Sequence, residues 1–328
     1  MANYLVAGAA GFIAFHVIDG LLQQGHAVLG LDNLNDAYDV RLKEYRLGLL
    51  RGRPGFSFQR LDISDHARLS EYFAGPAGET QYAAVINLAA RAGVRQSLEN
   101  PWVYLETNTT GTLNLLELCR RQQIPKFILA STSSIYGLNA PLPTPETADS
   151  DHPLQAYAAS KKGAEALSHV YHYLYGLDVS VVRYFTVYGP AGRPDMSIFR
   201  FTQWISEGQV LRLNGDGEQT RGFTYVDDIV SGTLLALNPV GYEIINLGGH
   251  KSVRIIDLIH MLESRIGRRA IIQTRPAHPA DMLASWADVS KAGRLLGWEP
   301  RVSLAEGLDR VVAWYNQNRE WASQIDTA

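Results

Sequence analysis

Residues 4–14 read Tyr4-Leu5-Val6-Ala7-Gly8-Ala9-Ala10-Gly11-Phe12-Ile13-Ala14. A short apolar run enters a glycine-rich turn, and a helical pattern follows through Val17, Ile18, Leu21 and Leu22 as far as Gly25. Strand, glycine turn and helix in that order is the context a dinucleotide-binding loop requires. Glycine lets the backbone turn tightly and approach a pyrophosphate, whose charge then sits at a helix N-terminus. The third small position is Ala14, where helix must pack on strand and a methyl group is tolerated.

The same alternation recurs along the chain. His26–Leu31 reads as a second strand ending at Asp32, Phe56–Arg60 as a third, and Ala84–Leu88 as a buried fourth. Ile128 and Leu129 mark a fifth, Val179–Arg183 a sixth, and helical patterns lie between them. Repeated strand–helix–strand units predict an α/β fold with a Rossmann-type, doubly wound parallel sheet. The predicted division is a dinucleotide-binding domain over 1–190, joined by a returning segment at about 222–246. A smaller C-terminal substrate lobe takes most of 191–328. Asp227 and Asp228 are expected to cap a helix that runs through Leu237.

Composition sets the outer limits. The chain has 328 residues, 46% hydrophobic and 19% charged, and a net charge of −3. Those values describe an ordinary globular protein with no basic footprint for nucleic acid or a membrane surface. The single cysteine, Cys119, excludes a disulfide framework and a multi-cysteine metal site; it reads as a small buried hydrophobe. With no signal peptide and no apolar run of spanning length, the expected home is the cytoplasm.

Tyr157-Ala158-Ala159-Ser160-Lys161 places a phenol and an ammonium on one helix face. A phenol ionises near pH ~10, and a cation one turn away favours the phenolate, so the pair reads either as a general base or as a solvated face. Upstream, Ser131-Thr132-Ser133-Ser134 lies at the C-terminal end of the fifth strand, where open α/β sheets bind ligands.

These three elements together resemble the extended short-chain dehydrogenase/reductase family. The resemblance implies a catalytic triad of Thr132, Tyr157 and Lys161 acting with NAD. It places Gly8, Gly11, Phe12 and Ile13 at the cofactor, with Asp32 and Asn33 at the ribose. Asp32 repels a 2′-phosphate and so favours NAD over NADP, or else it is a simple turn residue. Asp62 and Ile63 would lie near the adenine, although Asp62 also reads as an N-cap for the helix that follows. Leu88, Ala89, Ala90, Asn108 and Tyr184 complete the implied cofactor set.

The flanking residues narrow the reaction. Dehydratases of the family carry an aspartate–glutamate pair after the threonine, and the decarboxylating members carry a glutamate at the position of Ser134. Ser133 and Ser134 offer no such second acid or base, which leaves oxidation and re-reduction at one carbon, an epimerisation. The run Tyr184–Met196 and the Asp32-Asn33-Leu34-Asn35 loop are most similar to the members that epimerise UDP-glucuronic acid at C4. On that reading Ser133, Ser134 and Thr186 surround the sugar carboxylate. Arg193 is a cationic partner for that carboxylate or for the diphosphate, or else a turn residue on a solvated face. Arg95 meets the anionic substrate or is solvated; Arg221 meets the diphosphate and Asp281 the ribose. His278 stands where many relatives have arginine, which leaves Arg275 without a fixed role. The alternatives are a 4-epimerase of a neutral UDP-hexose or UDP-N-acetylhexosamine, a decarboxylase, and a non-catalytic nucleotide-binding protein. A long helix is expected from about Pro101 to Arg121, and the family implies a homodimer built on its part around Thr107 to Arg121 and on the helix containing Tyr157.

Overall fold

The first apolar run forms β1 (Asn3–Ala7), followed in the chain by β2 (Ala27–Asp32), β3 (Phe56–Arg60), β4 (Tyr82–Asn87), β5 (Lys126–Thr132) and β6 (Asp178–Tyr184). The computed structural model describes residues 1–249, 251–277 and 282–327. Shorter strands follow: β7 (Thr186–Tyr188), β8 (Val210–Asn214), β9 (Thr220–Tyr225), β10 (Tyr242–Leu247), β11 (Ser252–Arg254), β12 (Ile271–Arg275) and β13 (Ala284–Ser285).

The main sheet has the order β10-β6-β5-β4-β1-β2-β3, and each pairing is parallel. Parallel sheets need both faces covered, and β5 is buried along its whole length. One face packs on helices His66–Phe73, Gly111–Gln122 and Ala156–Tyr175, where Cys119 joins the core. The other packs on Phe12–Gln23, Val226–Leu235 and Ser290–Leu296. Between β1 and β4 the winding reverses, which opens a crevice at the strands' C-terminal ends. A third core, built on helices Ser197–Glu207, Ile255–Ile266 and Leu304–Gln317, stands beside that crevice.

The segment that returns to the main sheet begins later than 222. β9 is bound by β7, β11 and β13 in a separate small sheet, so only Val226–Leu235 and β10 go back. Asp227 and Asp228 do not cap that helix. Asp228 accepts from the backbone N–H groups of Arg301 and Val302, both at 3.0 Å, and Asp227 pairs with Arg310. The long helix expected from Pro101 is interrupted: Trp102–Tyr104 passes into a π-helical turn, Leu105–Thr110, before Gly111–Gln122. There the Gly111 N–H reaches the Glu106 carbonyl, five residues back.

The C-terminal tail is stitched on from behind. Gln203, on Ser197–Glu207, donates its amide to the carbonyls of Ala322 (3.1 Å), Ser323 (3.3 Å) and Ile325 (2.8 Å). Gln203→Leu removes the donor shared by the Ser323 and Ile325 carbonyls, while Ala322 O keeps the Ile325 N–H (3.3 Å), so urea denaturation should show a loss of about 1–3 kcal/mol. Limited proteolysis should cut the variant's tail first; an unchanged midpoint and cleavage pattern would remove Gln203 from this role.

Candidate active site

The glycine turn fixes the first wall. Gly8 and Gly11 close it through a Gly11 N–H to Gly8 O bond of 2.7 Å, while the Gly8 and Ala9 N–H groups donate to Leu31 O. Gly8 has φ +83°, and a Cβ there would come within 2.7 Å of the Ala89 nitrogen. Only glycine allows the turn to lie so close to the chain leaving β4. Ala14 is buried in the core below.

Asp32 ends β2 with one carboxylate oxygen accepting from Ala10 N (3.0 Å) and the other from Leu34 N (2.8 Å). Leu34 is held at φ 55°, a left-handed residue without glycine's freedom, as is common where a loop is shaped for a ligand. Burial raises Asp62, but hydrogen bonds from Ser64 and Asn33 outweigh it and hold the carboxyl below its usual range. The cap of the next helix is Asp65, so the N-cap reading of Asp62 is set aside.

These residues, with Phe12, Ile13, Ile63, Leu88, Ala89, Ala90, Tyr157, Lys161 and Tyr184, line one cleft of about 1050 Å³. Asn108 is the exception among the expected cofactor residues. It is buried in the π-turn, donating to Arg91 O and Ser160 Oγ and accepting from Arg91 N. It braces the wall from behind, because the extra residue of the turn rotates its amide toward Ser160. Thr107, Tyr38 and Lys43 line the cleft and were not foreseen. Lys43 is buried, with its ammonium on the Asn35 carbonyl (2.7 Å) and side-chain oxygen (2.9 Å).

A second cleft, about 1730 Å³ with its mouth, opens beside the first and shares Tyr157, Tyr184 and Arg193 with it. Thr132, Ser133, Ser134, Thr186, Arg95, Arg193 and Arg221 all line it. Arg200 and Arg212 join them without a sequence motif to announce them. Arg193 is paired with Asp195 (2.5 Å). Burial lowers Arg200, and Arg95, Arg212 and Arg275 add like charge around it. Asp281 and His278 lie outside the described residues.

At the junction, burial raises the Tyr157 phenol above its ordinary value, opposed by a hydrogen bond with Thr132 and by the charge of Arg193. Lys161 is buried; its ammonium donates to Ala130 O at 2.8 Å and is pushed down to about 8 by burial, with Glu165 opposing. The pull on the phenol therefore comes from Thr132 and Arg193 in this arrangement, where Lys161 was expected to supply it. Ser131, part of the hydroxyl-rich run, lines both clefts, and its hydroxyl donates to Glu165 at 2.5 Å. Among the described residues, no group of three or more His, Cys, Asp or Glu gathers as a metal site, and no helix is long and apolar enough to cross a membrane.

Comparison with known proteins agrees with this layout. Residues 4–248 match the model of the NAD dependent epimerase/dehydratase family. A UDP-glucuronate 4-epimerase of Thermodesulfobacterium geofontis is 55% identical over 99% of both chains. The crystal structure of a UDP-glucuronic acid 4-epimerase from Bacillus cereus, in complex with UDP-glucuronic acid and NAD, superposes with a TM-score of 0.89 at 37% identity, covering 96% of this chain and 99% of that one. A UDP-glucose 4-epimerase from Thermotoga maritima with UDP-glucose follows at TM-score 0.88 and 32% identity, covering 97% and 99%. Sequence pattern, sheet order and cleft residues converge with these likenesses on one conclusion: the chain belongs to the NAD dependent epimerase/dehydratase family.

Proposed function

We propose that the protein is an NAD-dependent epimerase that inverts C4 of UDP-glucuronic acid to give UDP-galacturonic acid. The observation that carries this reading is the junction of the two clefts, where Thr132, Tyr157 and Lys161 meet beside Arg193. The 55% identity to a UDP-glucuronate 4-epimerase over the full length supports the substrate.

The first cleft suits NAD. The Gly8–Gly11 turn lies against the chain leaving β4, which a Cβ at Gly8 would push away, and the turn and the Asp32 carboxylate line the cleft that would take the diphosphate and ribose. Bound NAD would supply the hydride acceptor and donor for the sugar carbon. Tyr157 removes the proton from the C4 hydroxyl on oxidation and returns it on reduction, while Thr132 holds the same oxygen. Lys161 adds a cation at the cofactor ribose. The sugar would turn over in the second cleft between the two steps.

Charge sorts the substrate contacts. Arg193 lies near the phenol, so we assign it with Ser133, Ser134 and Thr186 to the sugar carboxylate. Arg95, Arg200, Arg212 and Arg221 form a cationic wall suited to the diphosphate. NAD would occupy the domain of residues 1–190 with its returning segment, and the nucleotide sugar the smaller lobe. We also place a second copy of the chain on the outer face of Ala156–Tyr175, where Val170, Tyr173 and Leu174 are exposed, and the protein in a reducing cytoplasm, which suits its lone buried cysteine.

Incubation with UDP-glucuronic acid, followed by NMR, should yield UDP-galacturonic acid, and Tyr157→Phe should cut the rate by at least about 100-fold. Epimerisation of UDP-glucose with UDP-glucuronic acid untouched would overturn the carboxylate assignment. A 4-keto sugar with a C5 carboxylate is a β-keto acid that loses carbon dioxide readily unless the carboxylate is held in a poor orientation for it. Thr186→Ala should therefore raise the share of pentose product, and an unchanged product ratio would remove Thr186 from that role. Lys161 titrates at about 8 when folded against an ordinary 10.5. Between those values the unfolded chain binds more protons, so stability rises with pH there and the buried charge is a cost at neutral pH. Lys161→Met should accordingly stabilise the cofactor-free protein by about 1–3 kcal/mol while abolishing turnover; a lower melting temperature at pH ~7 would contradict this.

A further inference from the structure

Arg46 lies on helix Val40–Leu50 with 0% exposure, and no role described above uses it. All five of its N–H groups meet neutral oxygens. Nη1 donates to Ala10 O (3.1 Å) and to the Tyr38 hydroxyl (2.7 Å), and Nε to Ala191 O (3.0 Å). Nη2 donates to Ala191 O (2.7 Å) and Gly192 O (3.1 Å). Hydrogen bonding is complete, yet among the described residues no carboxylate pairs with the guanidinium. A buried cation held only by dipoles keeps its field, and a low-dielectric surrounding strengthens it.

That field is aimed at the glycine turn. Ala10 belongs to the turn itself. The guanidinium carbon stands 5.9 Å from the ring centre of Phe12 and 5.5 Å from that of Tyr38, and both rings line the first cleft. Neighbouring groups register it. Burial pushes His16 down to about 4 and Arg46 adds to the drop. Burial also lowers Lys43, where Asp32 opposes and Arg46 and Arg91 add.

We propose that Arg46 is a positioning residue that provides a fixed positive charge behind the Gly8–Gly11 turn, against which the diphosphate of the dinucleotide binds without touching it. This rests on the reading of the first cleft as the NAD site. It also explains why a cation, and not an apolar side chain, occupies the buried face of that helix. The same guanidinium ties Ala191 and Gly192, just ahead of Arg193, to the turn.

The test separates charge from shape. ADP and adenosine share the adenine and ribose contacts, and only ADP carries the diphosphate. Isothermal titration of both into the full-length protein freed of nucleotide should show ADP binding the more tightly. Arg46→Met should weaken ADP by about ten-fold and adenosine by no more than about two-fold. Equal losses for both ligands would assign Arg46 a structural role only and overturn the proposal. Should Arg46→Met fail to fold, Arg46→Lys decides: it keeps the charge and gives up the fork, so the ADP-to-adenosine ratio should stay near wild type, and its collapse would overturn the proposal. A wild-type protein that binds ADP no better than adenosine overturns it as well. Failure of the epimerase reading would look different, with no turnover of any UDP-sugar and the Arg46-dependent preference for ADP intact.

Discussion

The arrangement of the reacting groups depends on one buried ion pair. Glu165 and Arg183 have side chains 3% and 2% exposed and are joined by a two-pronged contact, 3.0 and 2.7 Å. A buried pair of this kind is weak evidence for stability, since desolvation offsets most of its attraction. Its consequence is geometric. Glu165 lies two turns beyond Tyr157 and one beyond Lys161, on the same face of Ala156–Tyr175. It takes the Ser131 hydroxyl while Lys161 takes the Ala130 carbonyl, so one helix grips two successive residues of β5 just before Thr132. Arg183 carries the grip to β6 and on to Tyr136, whose hydroxyl reaches Asn246 on β10. Three neighbouring strands are thus locked in register with the helix that bears Tyr157. The reacting hydroxyl and phenol come from different elements, and their separation is set by groups that touch neither.

Charge is distributed against the overall balance. The chain is net negative, yet Lys43 and Lys161 line the first cleft with Arg46 buried behind it, and Arg95, Arg193, Arg200, Arg212 and Arg221 line the second. Like charges crowded in a concave, partly buried surface oppose folding, and anionic ligands relieve them. A nucleotide sugar and a dinucleotide, each with a diphosphate, are the anions such a pair of clefts is suited to. Ligand binding and stability are therefore linked in this fold, and the cofactor-free protein carries the cost of both sites.

Much of this was legible in the chain, for identifiable reasons. Gly8 and Asp32 were readable because backbone geometry and ribose recognition leave few alternatives at a strand end, and the strands were readable because the inner ones are largely apolar while β3, at the sheet edge, alternates. Tyr157 and Lys161 followed from helical spacing. Asn108 was assigned to the cofactor because its helix was read as regular; a π-turn is a one-residue change in hydrogen bonding that no side-chain pattern marks. Lys43 and Arg46 were missed because helix Val40–Leu50 buries Lys43 and Arg46 beside Leu42 and Leu47, so its pattern does not separate apolar from polar faces. Arg200 and Arg212 come from a lobe whose position over the crevice is a tertiary fact.

The tail shows why the two clefts behave as one site although the chain builds them from distant parts. Asp39 caps helix Val40–Leu50, which carries Lys43 and Arg46, and its carboxylate also accepts from the backbone N–H of Asp326 at 3.0 Å. Arg41 reaches the Gln324 carbonyl from the same turn. On its other side the tail is held by Gln203 and by Trp204, which donates to the Thr327 hydroxyl at 3.0 Å, on the helix that presents Arg200 to the second cleft. Ile325 is buried between Leu42 and Phe199, one from each helix. A single C-terminal segment therefore bridges the helix behind the first cleft and the helix beside the second. Lys43 on the first helix lines the cleft proposed for NAD, and Ser197, Arg200 and Phe201 on the second line the cleft proposed for the nucleotide sugar, so on that reading the two ligands meet at Tyr157 only if the helices keep their separation. On the proposed reading the described tail residues act on the chemistry through this spacing, while lining neither cleft.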